Sequence, residues 1–146
     1  LEVLEARTLL STLTVLNLND SGAGSLRQAI ANAVSGDTIN FAVSGQITLT
    51  SGPLVINQNL TISGQGTSAL TISGNNASQV LTIGDVSVNI SGVTIANGLT
   101  GSSGGAILMN ADPSQSLSLT NCVFTNNHTD GGFNSNGGAI EITGDG

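Results

Sequence analysis

Charge and aromatic rings are what this sequence has least of. Its 146 residues include no Trp, no Tyr, three Phe, two Pro and one Cys, and only 8% are charged. That excludes an aromatic-rich core, so the interior has to be built from small aliphatic side chains in layers. The cations are Arg7 and Arg27 alone, and the net charge is -7. Such a balance excludes the phosphate neutralisation on which nucleic acid and anionic lipid surfaces depend. Cys122 has no second cysteine to pair with, so no intrachain disulfide forms. No apolar run reaches the roughly 18 residues of a membrane span. The sequence begins at Leu1 without the charged and apolar regions of an export signal. It stops at Gly144-Asp145-Gly146 directly after a strand pattern, and reads as an excerpt of something longer.

What is present is a strand with a turn attached, many times over. Leu60-Thr61-Ile62-Ser63-Gly64 returns as Leu70-Thr71-Ile72-Ser73-Gly74, with variants at Leu81-Thr82-Ile83-Gly84, Asn89-Ile90-Ser91-Gly92 and Val93-Thr94-Ile95-Ala96. Apolar and hydroxyl residues alternate at period two, and Gly or Asn closes each run. Aligned by parity, Leu70-Thr71-Ile72, Val93-Thr94-Ile95 and Cys122-Val123-Phe124 form one class of strand. Leu81-Thr82-Ile83, Ile107-Leu108-Met109 and Ile140-Glu141-Ile142 form another, with the ends of each triplet pointing inward. Short strands recurring every 20 to 30 residues with no helix between them predict an all-β parallel β-helix, with an immunoglobulin-like sandwich as the runner-up. Cys122, aligned with Val93 and Leu70, reads as a small buried apolar residue.

Taken in order, residues 1–12 form an N-terminal arm, with Leu1, Leu4 and Leu9 near helical spacing and two roles open, packing on the first layer or a sorting address. Residues 13–37 hold a first strand and the one convincing helix, expected over 25–35. Ser25-Leu26-Arg27-Gln28 is a capping box, Leu26, Ala29, Ile30, Ala33 and Val34 make the apolar stripe, and Gly36 stands where a C-terminal glycine belongs. Laid across the first coil, this amphipathic helix caps the solenoid. Residues 38–146 are the coils, with Ile39, Phe41 and Val43 on one face and the pairs Ile47 with Leu49 and Leu54 with Ile56 following.

Coil length grows while strand length does not. The excess is predicted at one joint, over 75–79, 98–103 and 127–136, so that insertions project from a single edge. The longest contains His128, Asp130, Phe133 and Asn134, a set suited to a sugar-like ligand if Phe133 offers its face, or a plain spacer if Phe133 folds under the loop. No residue set calls for a cofactor or a metal: Asp130-Gly131-Gly132 and Gly144-Asp145-Gly146 have the look of calcium turns but supply single acids. Catalytic residues are not expected either. A lyase needs cations near the substrate carboxylate, and Arg7 and Arg27 lie in the arm and cap. A hydrolase needs two carboxyls roughly 5 to 10 Å apart, and Asp85, Asp112, Asp130, Glu141 and Asp145 fall in different links. Thr48, Thr50, Thr61, Thr71, Thr82 and Thr94 point outward, as exposed strand residues or as ladders of the ice-binding kind.

Gly104-Gly105-Ala106-Ile107 and Gly137-Gly138-Ala139-Ile140, with Phe124-Thr125-Asn126-Asn127 between them, resemble the alternating G-G-A-I and F-x-x-N repeats of chlamydial polymorphic outer-membrane proteins. The segment from Asn19 to Ile30 resembles the C-S-L-R-E-A-I type stretch that opens many bacterial surface β-helix proteins, with Gly24 in place of Cys and Gln28 in place of Glu. Residues 1–11 are similar to the L-E-x-L-E-x-R-x-L-L-S signature of planctomycete surface and secreted proteins. These resemblances imply an exported right-handed β-helix, extracellular or on the cell surface, in proteins that are often adhesins. They carry over no catalytic residue. With no helix or charged cap after Ile142, the last coil is expected to continue in a longer polypeptide or to meet the N-terminal face of another copy. Leu26 and Ile30 at one end and Ile140, Glu141 and Ile142 at the other would form that interface. The expected function is a structural or adhesive surface solenoid with cell-surface glycans as candidate partners, and a polysaccharide-binding or polysaccharide-degrading β-helix as the alternative.

Overall fold

In the computed structural model, which describes residues 9–134, 136 and 138–144, the chain winds into four stacked coils. Residues 1–8 of the predicted arm lie outside the described residues. Three sheets run along the stack, and every pairing in them is parallel. The first contains β1 (Thr12–Val15), β2 (Asp37–Phe41), β5 (Leu60–Ser63), β8 (Val88–Ser91) and β12 (Leu117–Thr120). The second contains β3 (Gly45–Thr48), β6 (Leu70–Ser73), β9 (Thr94–Ala96) and β13 (Val123–Thr125), and the third β4 (Leu54–Ile56), β7 (Leu81–Ile83), β11 (Ile107–Asn110) and β15 (Ile140–Thr143). A further two-stranded ladder joins β10 (Leu99–Thr100) to β14 (His128–Thr129) at one corner of the last two coils.

Period-two patterning dictates this arrangement. Ile47, Ile72, Ile95 and Phe124 stack in one inward column, and Ile56, Ile83, Met109 and Ile142 in another. The columns are sealed in the middle coils and open at the last one, where Phe124 and Ile140 are half-buried and Ile142 is 57% exposed. Outward positions of the first sheet are hydroxyl or amide residues, while the third sheet also turns out Val55, Leu108 and Glu141. Thr12, Thr38, Thr61, Asn89 and Ser118 form an uncharged column down the first sheet. The outward threonines are spread over all three sheets, Thr61 in the first, Thr48, Thr71 and Thr94 in the second and Thr82 in the third, as strand residues rather than one continuous face.

The helix α1 runs from Leu26 to Asn32 and packs on β1 and β4, covering the first coil. Ser25 caps it, its hydroxyl accepting the Gln28 amide at 3.1 Å. The reciprocal half of the capping box is not made: the Ser25 amide donates to the Gly22 carbonyl at 3.2 Å, and the Gln28 side-chain amide turns away to donate to Asn32. The helix also ends a turn before the expected glycine. Ala33 is already extended, and the Gln58 side-chain amide, reaching back from the first coil, bonds the Ile30 carbonyl at 2.6 Å and the Ala33 carbonyl at 3.3 Å. The Ile30 carbonyl accepts only a long 3.3 Å bond from the Ala33 amide, so Gln58 supplies the satisfaction a C-terminal glycine turn would otherwise give these last carbonyls. Gly36, at φ +93, serves a tight turn closed by the Asp37 amide on the Val34 carbonyl, and Val34 is left exposed.

Three polar contacts fasten this cap. Arg27 donates to the Asp20 carboxylate at 2.7 Å and to the carbonyls of Gly52 and Pro53 at 2.8 and 2.9 Å. Gln58 holds the helix end as described. The buried Asp37 carboxylate accepts the amides of Ser11 and Val34 at 2.8 and 2.9 Å, which hold it below the ordinary carboxylate range against the opposing effect of burial.

Candidate functional site

Two corners of the coil lengthen, not the single one expected. The link between the second and third sheets covers 49–53, 74–80, 97–106 and 126–139 in successive coils. The link from the third sheet back to the first grows as well, from 57–59 to 84–87 to 111–116. Each growing corner gathers polar side chains.

At the first corner the extra residues zip together rather than loop out. The Asn127 side chain fixes the start, accepting the Gly98 amide at 2.8 Å and donating to the Ile95 carbonyl at 2.9 Å. The His128 amide then bonds the Gly98 carbonyl and the Asp130 amide the Thr100 carbonyl, both at 2.9 Å. Gly101 and Gly131 are pressed backbone to backbone, and a Cβ on Gly131 would overlap the Gly101 carbonyl oxygen. Strand parity puts His128 and Asp130 on one side of β14, both exposed, with Leu99 opposite His128 across the ladder. Neither the imidazole nor the carboxylate is hydrogen-bonded to another group among the described residues. A 3-10 turn, Gly132–Asn134, follows and places Phe133 wholly outside the protein, at 109% exposure, not folded under the loop. Asn134 occupies the last position of that turn; residue 135 of the expected loop lies outside the described residues.

The corner's other half, Leu99 and Gly101 on β10 and just beyond it, was not singled out by sequence. A signal for it exists: Asn97-Gly98-Leu99-Thr100 and Asn126-Asn127-His128-Thr129 share an Asn-x-x-Thr frame, and Asn97 and Asn126 both adopt positive φ.

At the second corner two of the acids lie at the same corner of adjacent coils, joined through a backbone amide rather than carboxyl to carboxyl. The register of β7 with β11 brings Asp85 and Asp112 into the same link of adjacent coils, where the Asp112 amide donates to Asp85 Oδ1 at 2.9 Å. With Asn110, Ala111, Thr143 and Gly144 they line an open depression of about 460 Å³. The Thr143 hydroxyl bonds the Asn110 side chain across it. Glu141 lies elsewhere, at an outward position of β15 opposite Leu108, and Asp145 is outside the described residues. Among the described residues, no three His, Cys, Asp or Glu side chains gather as metal ligands.

The residues expected at an assembly interface divide. Leu26 and Ile30 are fully buried between helix and first coil, so they support the cap and present nothing to a partner. Ile140 and Glu141 are half-buried and Ile142 is exposed, on the outermost strand of the third sheet. Cys122 is half-buried against the core. Among the described residues no helix is long and apolar enough to cross a membrane.

No family model matches the chain, and no curated protein or solved structure matches it.

Proposed function

We propose that this chain is a non-catalytic structural or adhesive segment of an extracellular or cell-surface β-solenoid, and that its last coil is an edge to which a further coil is added. The observation that carries this reading is the contrast between the two ends. The first coil is covered by α1 and by three polar fastenings. At the fourth coil β12, β13, β14 and β15 are each the outermost strands of their ladders, and the apolar columns behind them run on into half-buried Leu119, Phe124 and Ile140. A parallel edge backed by apolar columns is a template for another parallel strand. The coil that pairs with it comes from further polypeptide or from a second copy, and in the second case the contact is heterologous and propagates into filaments. The resemblance to polymorphic outer-membrane repeats and to the planctomycete surface signature supports the location. Electron microscopy and light scattering of the purified chain across concentration test the second case: filaments one solenoid wide support it, and monodisperse monomers throughout eliminate it.

Glycoside hydrolysis is the competing reading, and the meeting of Asp85 with Asp112 favours it. A hydrolase also needs one carboxyl kept protonated by an apolar setting. Both of these are exposed, beside Asn110, Ala111, Thr143 and Gly144 rather than a large apolar wall. New reducing ends released from neutral polysaccharides, without unsaturated sugars, would establish this hydrolysis.

A further inference from the structure

We propose that the corner built by β10 and β14 binds a neutral glycan, with Phe133 as the stacking ring and His128 and Asp130 as the pair that recognises hydroxyls. The proposal rests on the surface-solenoid reading above and adds the site and the ligand class.

Phe133 is the first argument. The chain has three Phe; Phe41 is in the core and Phe124 is half-buried on an inward column, so Phe133 alone stands in water. Leaving such a ring uncovered forgoes the gain of burying it, and the apolar face of a pyranose is a surface that covers an aromatic ring while keeping its own hydroxyls wet. Hydrogen-bonding capacity is the second argument. Side chains at i and i+2 on a strand stand roughly 6.5–7 Å apart on one side, which suits two groups of one sugar ring. The Asp130 carboxylate can accept from two adjacent hydroxyls, and the imidazole of His128 can donate and accept. Both are free of protein partners among the described residues.

Across the ladder from the pair stand Leu99, opposite His128, and Gly101 just beyond β10. Apart from its chain neighbours, the nearest atom to where a Gly101 side chain would stand is an Asp130 carboxylate oxygen at 3.7 Å, so the glycine leaves room beside that carboxylate. Backbone bonds from Gly98 and Thr100 to His128 and Asp130 hold the pair in place before any ligand arrives, which lowers the ordering cost of binding. Charge selects the ligand class. Among the described residues the only Lys or Arg is Arg27, committed to Asp20 in the cap, so a uronate, sulfate or phosphate would meet Asp130 with nothing to neutralise it.

Saturation-transfer NMR with neutral tetrasaccharides of glucose, galactose and N-acetylglucosamine, and with their uronic acid counterparts, tests this in EDTA on the full chain and on Phe133→Ala, Asp130→Asn and Ser118→Ala. The expected result is transfer to at least one neutral tetramer, a fall of about tenfold or more in affinity for the first two variants, and no change for Ser118→Ala on the remote first sheet. No transfer to any neutral sugar overturns the proposal. So does preference for uronic oligomers, binding that survives both corner substitutions, or binding regained only when calcium replaces EDTA. Light scattering on the same samples separates the two readings: assembly without sugar binding defeats only the glycan site, and sugar binding by a strict monomer defeats only copy-to-copy assembly.

Discussion

Replacing Arg27 with methionine keeps the aliphatic stem over the cap and removes the guanidinium that ties α1 to the link between β3 and β4. Four hydrogen bonds go with it, two to Asp20 and one each to the Gly52 and Pro53 carbonyls. Bonds involving a charged group contribute about 1.5–3 kcal/mol each when fully sheltered. The Arg27 side chain is 24% exposed and that of Asp20 11%, so water takes over part of the loss. A net cost of about 2–3 kcal/mol follows, which at a urea slope near 2 kcal/mol/M moves the unfolding midpoint by about 1 M. Arg27→Lys recovers less than half of this, since an ammonium cannot serve the carboxylate and two carbonyls in one plane.

The same contact gives the pH dependence. Burial alone pushes the Asp20 carboxyl up, but the Ser51 hydroxyl, Arg27 and the Thr50 amide outweigh it and bring the value from 3.8 down to about 2. That drop corresponds to about 2.4 kcal/mol, cut to about 1–2 by solvent screening. Because the folded value lies below the unfolded one, the stability is complete above the unfolded value of 3.8 and is lost as pH falls through about 2. The gap between wild type and Arg27→Met is therefore widest at pH 7 and narrows toward pH 2. Urea unfolding followed by circular dichroism at several pH values measures it, and hydrogen exchange locates it in the Ala29 and Ala33 amides rather than in the coils. A loss under about 0.5 kcal/mol at pH 7, or an equal gap at both pH values, would refute the reasoning.

Position along a column sets the cost of truncation: Ile95→Ala in the sealed middle should lose about 3–4 kcal/mol, and Ile142→Ala at the open coil under about 1 kcal/mol; similar losses in urea melts would mean the last coil is as well covered as the others. At the first growing corner, Gly131→Ala drives a methyl into the Gly101 carbonyl, so exchange at the His128 and Asp130 amides should accelerate while Ile62 stays protected; unchanged protection would show that the two links are not zipped. Asn97, at φ +54, donates to the Ser73 hydroxyl at 3.1 Å. Asn97→Gly should therefore melt above Asn97→Ala, which adds about 1–2 kcal/mol of left-handed strain to the lost bond, and the reverse order would contradict the assigned backbone.

Much of the solenoid was legible because its inward and outward residues differ in chemistry at period two. The stacking of Leu70, Val93 and Cys122 positions, and of Leu81, Ile107 and Ile140, could be aligned by parity alone, as could the start of α1 at Ser25. The ten-residue repeat is of another kind: β5 and β6 are successive sides of one coil, and β5 stacks on β8 instead. The first sheet escaped notice as a class because its strands are followed by links of very different length, 42–44, 64–69, 92–93 and 121–122. What could not be read at all depended on contacts across coils. Gln58 replacing a glycine cap, Arg27 reaching Gly52 and Pro53, and Asp85 meeting Asp112 each join residues whose proximity follows only once the register is known. His128, Asp130 and Phe133 were visible as residue types; that they share a backbone-zipped corner required β10, a two-residue strand too short for any periodicity.

The link after the second sheet lengthens from coil to coil, and only the last two coils carry a strand there, so β14 is a shelf of backbone paired on one side by β10. A coil arriving at the open end must therefore be at least as wide at that corner, or the shelf's amide and carbonyl groups keep only water for company. The first coil, whose corresponding link is 49–53, has no strand there to offer. On the reading proposed above, growth at this edge would therefore favour a long-cornered neighbour in the same polypeptide over the short-cornered first coil of a second copy.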